Sequence, residues 1–214
     1  MEKILQNLVE RYPALEGSLP AIRKAGEMLC ATFDAGNTLF VCGNGGSGSD
    51  SEHIAGELLK SFVMDRPVTA EQRAALAQYG EDGEYLANSL ERGLPCISLL
   101  SHPGYSSAWG NDVDPKLLYA QQLFALGRKG DLLIGISTSG NAENIRQAMM
   151  VAGASGIRTI LLTGAKAGKC VPYADLTVGV PETETYKVQE LHLPIYHALC
   201  MIAEKHAFGE SGNE

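Results

Sequence analysis

Residues 38–49 read Thr38-Leu39-Phe40-Val41-Cys42-Gly43-Asn44-Gly45-Gly46-Ser47-Gly48-Ser49. A short, mostly apolar run passes directly into seven residues that are all Gly, Asn or Ser. The first part reads as a buried strand, and the second as a loop at its carboxyl end. A helix is expected over 50–59. The order strand, glycine-rich loop, helix is the opening unit of a parallel α/β sheet.

The same alternation continues outward. Apolar runs at 96–100, 131–136, 158–162 and 176–180 give four more strands. Helical periodicity covers 116–126, the stretch beginning near Ala142, and 186–205. Upstream, Ile4, Leu5, Leu8 and Val9 share one helical face, and Pro13 ends that helix. Ile22, Ala25, Met28 and Leu29 line a second, which Gly36 stops. The expected fold is α/β: a three-layer, doubly wound sandwich with a five-stranded parallel sheet, forming one domain over 1–214. A helical hairpin in 1–35 precedes it. Residues 61–95 read as a surface insertion of lid type between the first two strands, with a helical stretch over 70–78.

Composition narrows the function. The 214 residues carry 17 Lys+Arg against 25 Asp+Glu, for a net charge of −8, which argues against nucleic-acid binding by phosphate neutralisation. No apolar run approaches the roughly 20 residues needed to cross a bilayer, so no membrane role is expected. The first 17 residues hold scattered charges and no apolar core of signal-peptide type. Cys30, Cys42, Cys96, Cys170 and Cys200 lack C-x-x-C spacing and read as buried reduced thiols. A cytoplasmic protein is expected.

Two loops stand at expected strand ends, where open parallel sheets bind ligands. Gly43 to Ser49 offers close backbone approach, the Ser47 hydroxyl and the positive end of a helix dipole. It is neither a Walker loop nor a dinucleotide fingerprint, and a plain helix-capping turn is its bland reading. Ser137-Thr138-Ser139-Gly140-Asn141 holds three consecutive hydroxyls, of which an N-cap uses one. Together the loops suit a phosphate monoester held by neutral donors.

His53 and Glu57 lie four residues apart, on one face of the helix leaving the first loop. They could be a solvated polar pair, a metal site or an acid/base pair. On the last helix, Gln189 and His197 fall about 80° apart, so a metal could be shared between the two helices. His192 and His197 are equally open to being core histidines. Pro194 removes one backbone hydrogen bond from this helix.

Taken together, Gly43-Asn44-Gly45-Gly46-Ser47, His53-x-x-x-Glu57, Gly110-Asn111-Asp112, Gly135-Ile136-Ser137-Thr138-Ser139-Gly140-Asn141, Leu162-Thr163-Gly164 and Gln189-Glu190-x-His192-x-x-x-x-His197 resemble the sugar isomerase (SIS) domain family, and within it the phosphoheptose isomerases. The resemblance covers about residues 36–205 apart from the insertion. It implies an aldose–ketose isomerase for sedoheptulose 7-phosphate, with Glu57 as base and His197 as acid. It implies substrate contacts from Asn44, Gly45, Gly46, Ser47, Asp112, Ser137, Thr138, Ser139, Asn141 and Gln189. It implies zinc held by His53, Glu57, Gln189 and His197, and a homotetramer with sites at subunit interfaces.

Two positions depart from the family pattern. Ala142 replaces a phosphate-binding serine, and Tyr186 replaces an active-site aspartate. The resemblance extends to non-catalytic SIS modules that bind the replication initiator DnaA. Those keep the serine-rich loop without the glutamate and histidine, whereas this chain has both Glu57 and His197, which favours the enzyme. An isomerase for a different phosphosugar is the nearer alternative.

Overall fold

The computed structural model describes residues 1–209. Five strands form one parallel sheet: β1 (Leu39–Gly43), β2 (Cys96–Ser98), β3 (Leu132–Ile136), β4 (Arg158–Thr163) and β5 (Leu176–Gly179). Their spatial order is β2-β1-β3-β4-β5. β1 and β3 are therefore neighbours, with Leu39 opposite Leu132 and Gly43 opposite Ile136. The chain winds away from this pair in both directions, so their carboxyl ends flank the topological switch point. That is where a doubly wound sheet opens a ligand crevice. Both polar loops leave from it.

Side-chain alternation along the strands builds two apolar layers. Leu39, Val41, Leu132, Ile134, Ile160 and Leu162 face one way. Against them pack α1 (Glu2–Arg11), α2 (Leu19–Asp34), α3 (Gly46–Leu59) and α9 (Thr185–Phe208). Phe40, Cys42, Leu133 and Leu161 face α7 (Leu118–Leu126) and α8 (Glu143–Ala154) on the other side. Asp131 ties the amino ends together by accepting from Thr38 N and Arg128 N. The five cysteines are buried and unpaired, as expected.

α3 begins at Gly46, four residues before the expected start at 50. Gly45 adopts a φ of 54° and turns the chain abruptly, so that Gly48 N and Ser49 N already donate to its carbonyl. The glycine-rich stretch is half loop and half first helical turn.

The insertion holds α4 (Ala70–Leu76), capped by a Thr69–Gln72 capping box, then a short 3-10 turn (Ala77–Tyr79) and α5 (Gly80–Ser89). α5 was not expected; the run Gly80-Glu81-Asp82-Gly83 reads locally as a turn. Arg92 N donates to Arg66 O and closes the base of the insertion. A further unexpected helix, α6 (Pro103–Asp112), buries none of its residues and so lacks the apolar stripe that marks a helix in sequence. No described helix is long and apolar enough to cross a membrane.

Candidate active site

The first loop is tightly packed at two of its glycines. A Cβ on Gly43 would lie 2.2 Å from Ser47 O, and one on Gly46 would lie 2.6 Å from Gln189 Nε2. The second contact places the Gln189 amide, from the first turns of α9, directly over the first turn of α3. Ser47 is buried beneath the loop, while Asn44, Gly45 and Gly46 are exposed at its rim. From below, the Tyr119 hydroxyl donates to Gly43 O and fixes the end of β1.

The second loop is a tight turn with Gly140 N donating to Ser137 O. Ser137 is buried, and its Oγ accepts from Ala142 N at 3.3 Å, just before α8. Thr138 is half-buried and Ser139 exposed. Asn141 is exposed. Its Nδ2 donates to Ser139 O, and its Oδ1 accepts from Lys169 N, tying this loop to the one after β4. The two ligand loops are joined across the switch point by paired amides: Asn44 Nδ2 donates to Asn144 Oδ1 at 2.9 Å, and Asn144 Nδ2 donates to Asn44 Oδ1 at 2.8 Å. Asn144 was not singled out in the sequence, although it lies one helical turn beyond Asn141.

α3 and α9 run side by side. Gly46 meets Gln189, and farther along His53 meets Tyr196 and His197. His53 Nε2 is 3.0 Å from Glu57 Oε1, and the His53 and His197 rings sit edge to face with centroids 5.1 Å apart. Glu57 is mostly covered, with 13% of its side chain exposed against 42% for His53. Its second oxygen accepts from Lys60 Nζ. Phe62, at the start of the insertion, covers His197 with ring centroids 5.5 Å apart. Burial lowers the His197 pKa, and nearby His53 adds to this while Glu57 opposes it, so the imidazole is held toward its neutral form.

The two histidines of α9 separate cleanly. His192 is fully buried, with Nε2 against Thr163 O, and burial pulls its pKa down to about 4. It is the core histidine. Tyr186, in the first turn of α9, is exposed. Asp112 is exposed at the end of α6, bonded to its neighbour Asn111. Among the described residues it makes no hydrogen bond to either ligand loop, α3 or α9.

Two imidazoles, a carboxylate and an amide oxygen form a donor set that suits zinc. His197 Nε2 is buried without a hydrogen-bond partner. However, His53 engages both ring nitrogens, with Tyr196 and Glu57. No three His, Cys, Asp or Glu side chains among the described residues are already arranged around a metal position. The ligand chemistry fits, although the described residues hold no preformed cluster.

No family model matches the chain. Similarity to individual proteins is extensive. The chain is 37% identical over 188 residues to the phosphoheptose isomerase of Clostridium acetobutylicum, covering 88% of this chain and 83% of that one. It is 31% identical over 202 residues to that of Akkermansia muciniphila, covering 94% of both.

The chain belongs to the phosphoheptose isomerase family.

The structure of a phosphoheptose isomerase from Francisella tularensis superposes with a TM-score of 0.71 at 28% identity, covering 95% of this chain and 94% of that one. The phosphoheptose isomerase likeness therefore extends through the insertion and the amino-terminal helices, beyond the motifs that first suggested it.

Proposed function

We propose that this protein interconverts sedoheptulose 7-phosphate and a manno-heptose 7-phosphate. One observation carries the reading: Glu57 and His197, from different helices, converge on His53, on the helix that leaves the first hydroxyl-rich loop. Membership of the phosphoheptose isomerase family supports it.

The substrate's phosphate is an anion remote from the reacting carbons. Ser47, Ser137, Thr138, Ser139 and backbone amides at the α3 amino end supply neutral donors and a favourable dipole. Holding the phosphate fixes where C1 and C2 lie. The Glu57 carboxylate removes a proton from C1 of the open-chain ketose. His197 gives a proton to O2 as the enediol forms. The enediol then returns its O1 proton to His197, C1 becomes the carbonyl, and Glu57 delivers its proton to C2. Such a positioned acid and base contribute roughly 10²–10⁴-fold each. Zinc bound by His53, Glu57, Gln189 and His197 would supply Lewis-acid polarisation of the carbonyl.

The ligand loops are open to solvent within one chain, with Asn44, Gly46 and Ser139 exposed. That openness, with the family resemblance, supports a homotetramer whose neighbouring subunits cover the sites. A phosphorylated substrate and five unpaired buried thiols support a cytoplasmic setting. Incubating the protein with a panel of ketose and aldose phosphates, with and without added zinc, tests the reading. Isomerisation of the seven-carbon substrate supports it, and turnover of only another phosphosugar replaces the substrate. Light scattering reads the assembly, and elemental analysis reads the metal.

A further inference from the structure

The loop after β4, residues 164–170, lies against the serine loop that follows β3. Gly164 N donates to Thr138 O at 3.0 Å, and Cys170 N donates to Gly140 O at 2.9 Å. Between them, Lys169 N donates to Asn141 Oδ1 at 3.0 Å. Two further carbonyls are taken within the serine loop itself: Ser137 O accepts from Gly140 N, and Ser139 O accepts from Asn141 Nδ2. Every carbonyl oxygen from Ser137 to Gly140 is therefore engaged. Among the described residues, Thr138 N and Ser139 N donate to nothing. Two successive free N–H groups form the kind of nest that holds an anion.

The two loops meet backbone to backbone. A Cβ on Gly168 would overlap the Gly140 carbonyl, and one on Gly140 would lie 3.1 Å from Gly168 Cα. Neither obstacle is a side chain that could swing aside. Gly140 has a φ of 66°, which favours glycine by itself, whereas Gly168 has no positive φ. The missing side chain at Gly168 serves the contact. Cys170 anchors the far end: it is fully buried, and its Sγ is 3.6 Å from Ala142 O.

We infer that residues 164–170 are a positioning element for the phosphate end of the substrate. Gly164, Gly168 and the Lys169 and Cys170 amides hold the serine loop with its carbonyl oxygens engaged and its free N–H groups left for the anion. A carbonyl oxygen freed beside a phosphate would repel it, and a loop that rearranged on binding would bind more weakly than one already set. These residues act through the loop and do not touch the reacting carbons. The inference rests on the phosphate reading of the serine loop.

The test is Gly168→Ala, read with inorganic phosphate and with the phosphosugar. The added methyl has to displace Gly140. The Kd for phosphate by isothermal titration and the KM are each expected to rise about tenfold or more, while kcat stays within about threefold. A merely structural role would lower the thermal midpoint without moving either constant, and that outcome overturns the proposal. Ser137→Ala with Ser139→Ala separates the two readings. Weakened phosphate binding there, with unchanged binding in Gly168→Ala, removes the positioning role alone; unchanged binding in both removes the phosphate site as well. Should Gly168→Ala fail to fold, amide hydrogen exchange of the unmodified protein decides. The Gly164, Lys169 and Cys170 amides are expected to be protected before any ligand is added, and those of Thr138 and Ser139 to become protected only with inorganic phosphate. Rapid exchange at Lys169 and Cys170, or no change at Thr138 and Ser139, overturns the proposal.

Discussion

Arg66 and Glu204 form a fully buried ion pair, with Arg66 Nε 2.7 Å from Glu204 Oε1. Neither charge is left with a single partner. Glu204 also accepts from Phe62 N and Val63 N, and the Arg66 guanidinium donates to the carbonyls of Glu57 and Leu58 at the end of α3. The pair thus joins the base of the insertion to both helices that carry the candidate acid and base. Glu204→Ala would strand a buried guanidinium, and removing one partner of such a pair costs about 3–5 kcal/mol. Urea unfolding should show a loss of that size, and an effect below about 1 kcal/mol would mean the pair is not buried in solution.

The phosphate reading rests on hydroxyls, so it should fail through binding. The double change Ser137→Ala with Ser139→Ala is expected to raise KM for the phosphosugar at least about tenfold, since each lost hydrogen bond to an anion is worth about 1.5–3 kcal/mol. Isothermal titration with substrate checks it. Unchanged affinity would remove these loops from the phosphate site.

Gly46 and Gln189 make a narrower test. A methyl at Gly46 would overlap the Gln189 amide at 2.6 Å, and that amide belongs to a flexible side chain that can move aside. Gly46→Ala should therefore leave the protein folded, with its thermal midpoint within a few degrees, but displace Gln189 and weaken turnover. Parent-level turnover in this variant would show that the position of Gln189 does not matter.

His192 supplies a pH dependence with a definite sign. Its pKa falls from 6.5 to about 4 on folding because burial penalises the charged ring. The unfolded chain therefore binds the proton first as pH drops. The stability contribution is complete above pH 6.5 and is lost progressively toward pH 4. At pH 5 the loss is about 2 kcal/mol. His192→Gln should flatten the stability profile between pH 7.5 and 5 relative to the parent, measured by denaturant titration at each pH. Parallel profiles would contradict it.

Local pattern carried much of this structure. Each strand announced itself as an apolar run because both sheet faces are covered, and the helices of the two core layers showed their stripes. Sheet order did not, because pairing β1 with β3 joins residues 39 and 132, far apart in the chain. The early start of α3 was hidden by its Gly and Ser content, which disfavours helix by propensity. α6 hid for the opposite reason: it buries nothing.

At the site, spacing alone marked His53, Glu57, Gln189 and His197. The residues that hold them went unread. Tyr196 resembles any core aromatic, and Arg66 any loop cation beside a proline. Only the folded chain shows that each faces a functional group.

The central claim is that a carboxylate on α3 moves a carbon-bound proton of a phosphosugar. It is tested most directly by following sedoheptulose 7-phosphate by ¹H NMR in D₂O, with the unmodified protein and with Glu57→Gln. The unmodified protein should form the aldose with solvent deuterium at C2, and Glu57→Gln should bind the sugar yet give neither aldose nor exchange. Aldose formation at the parent rate by Glu57→Gln, or none by the unmodified protein, would contradict the account.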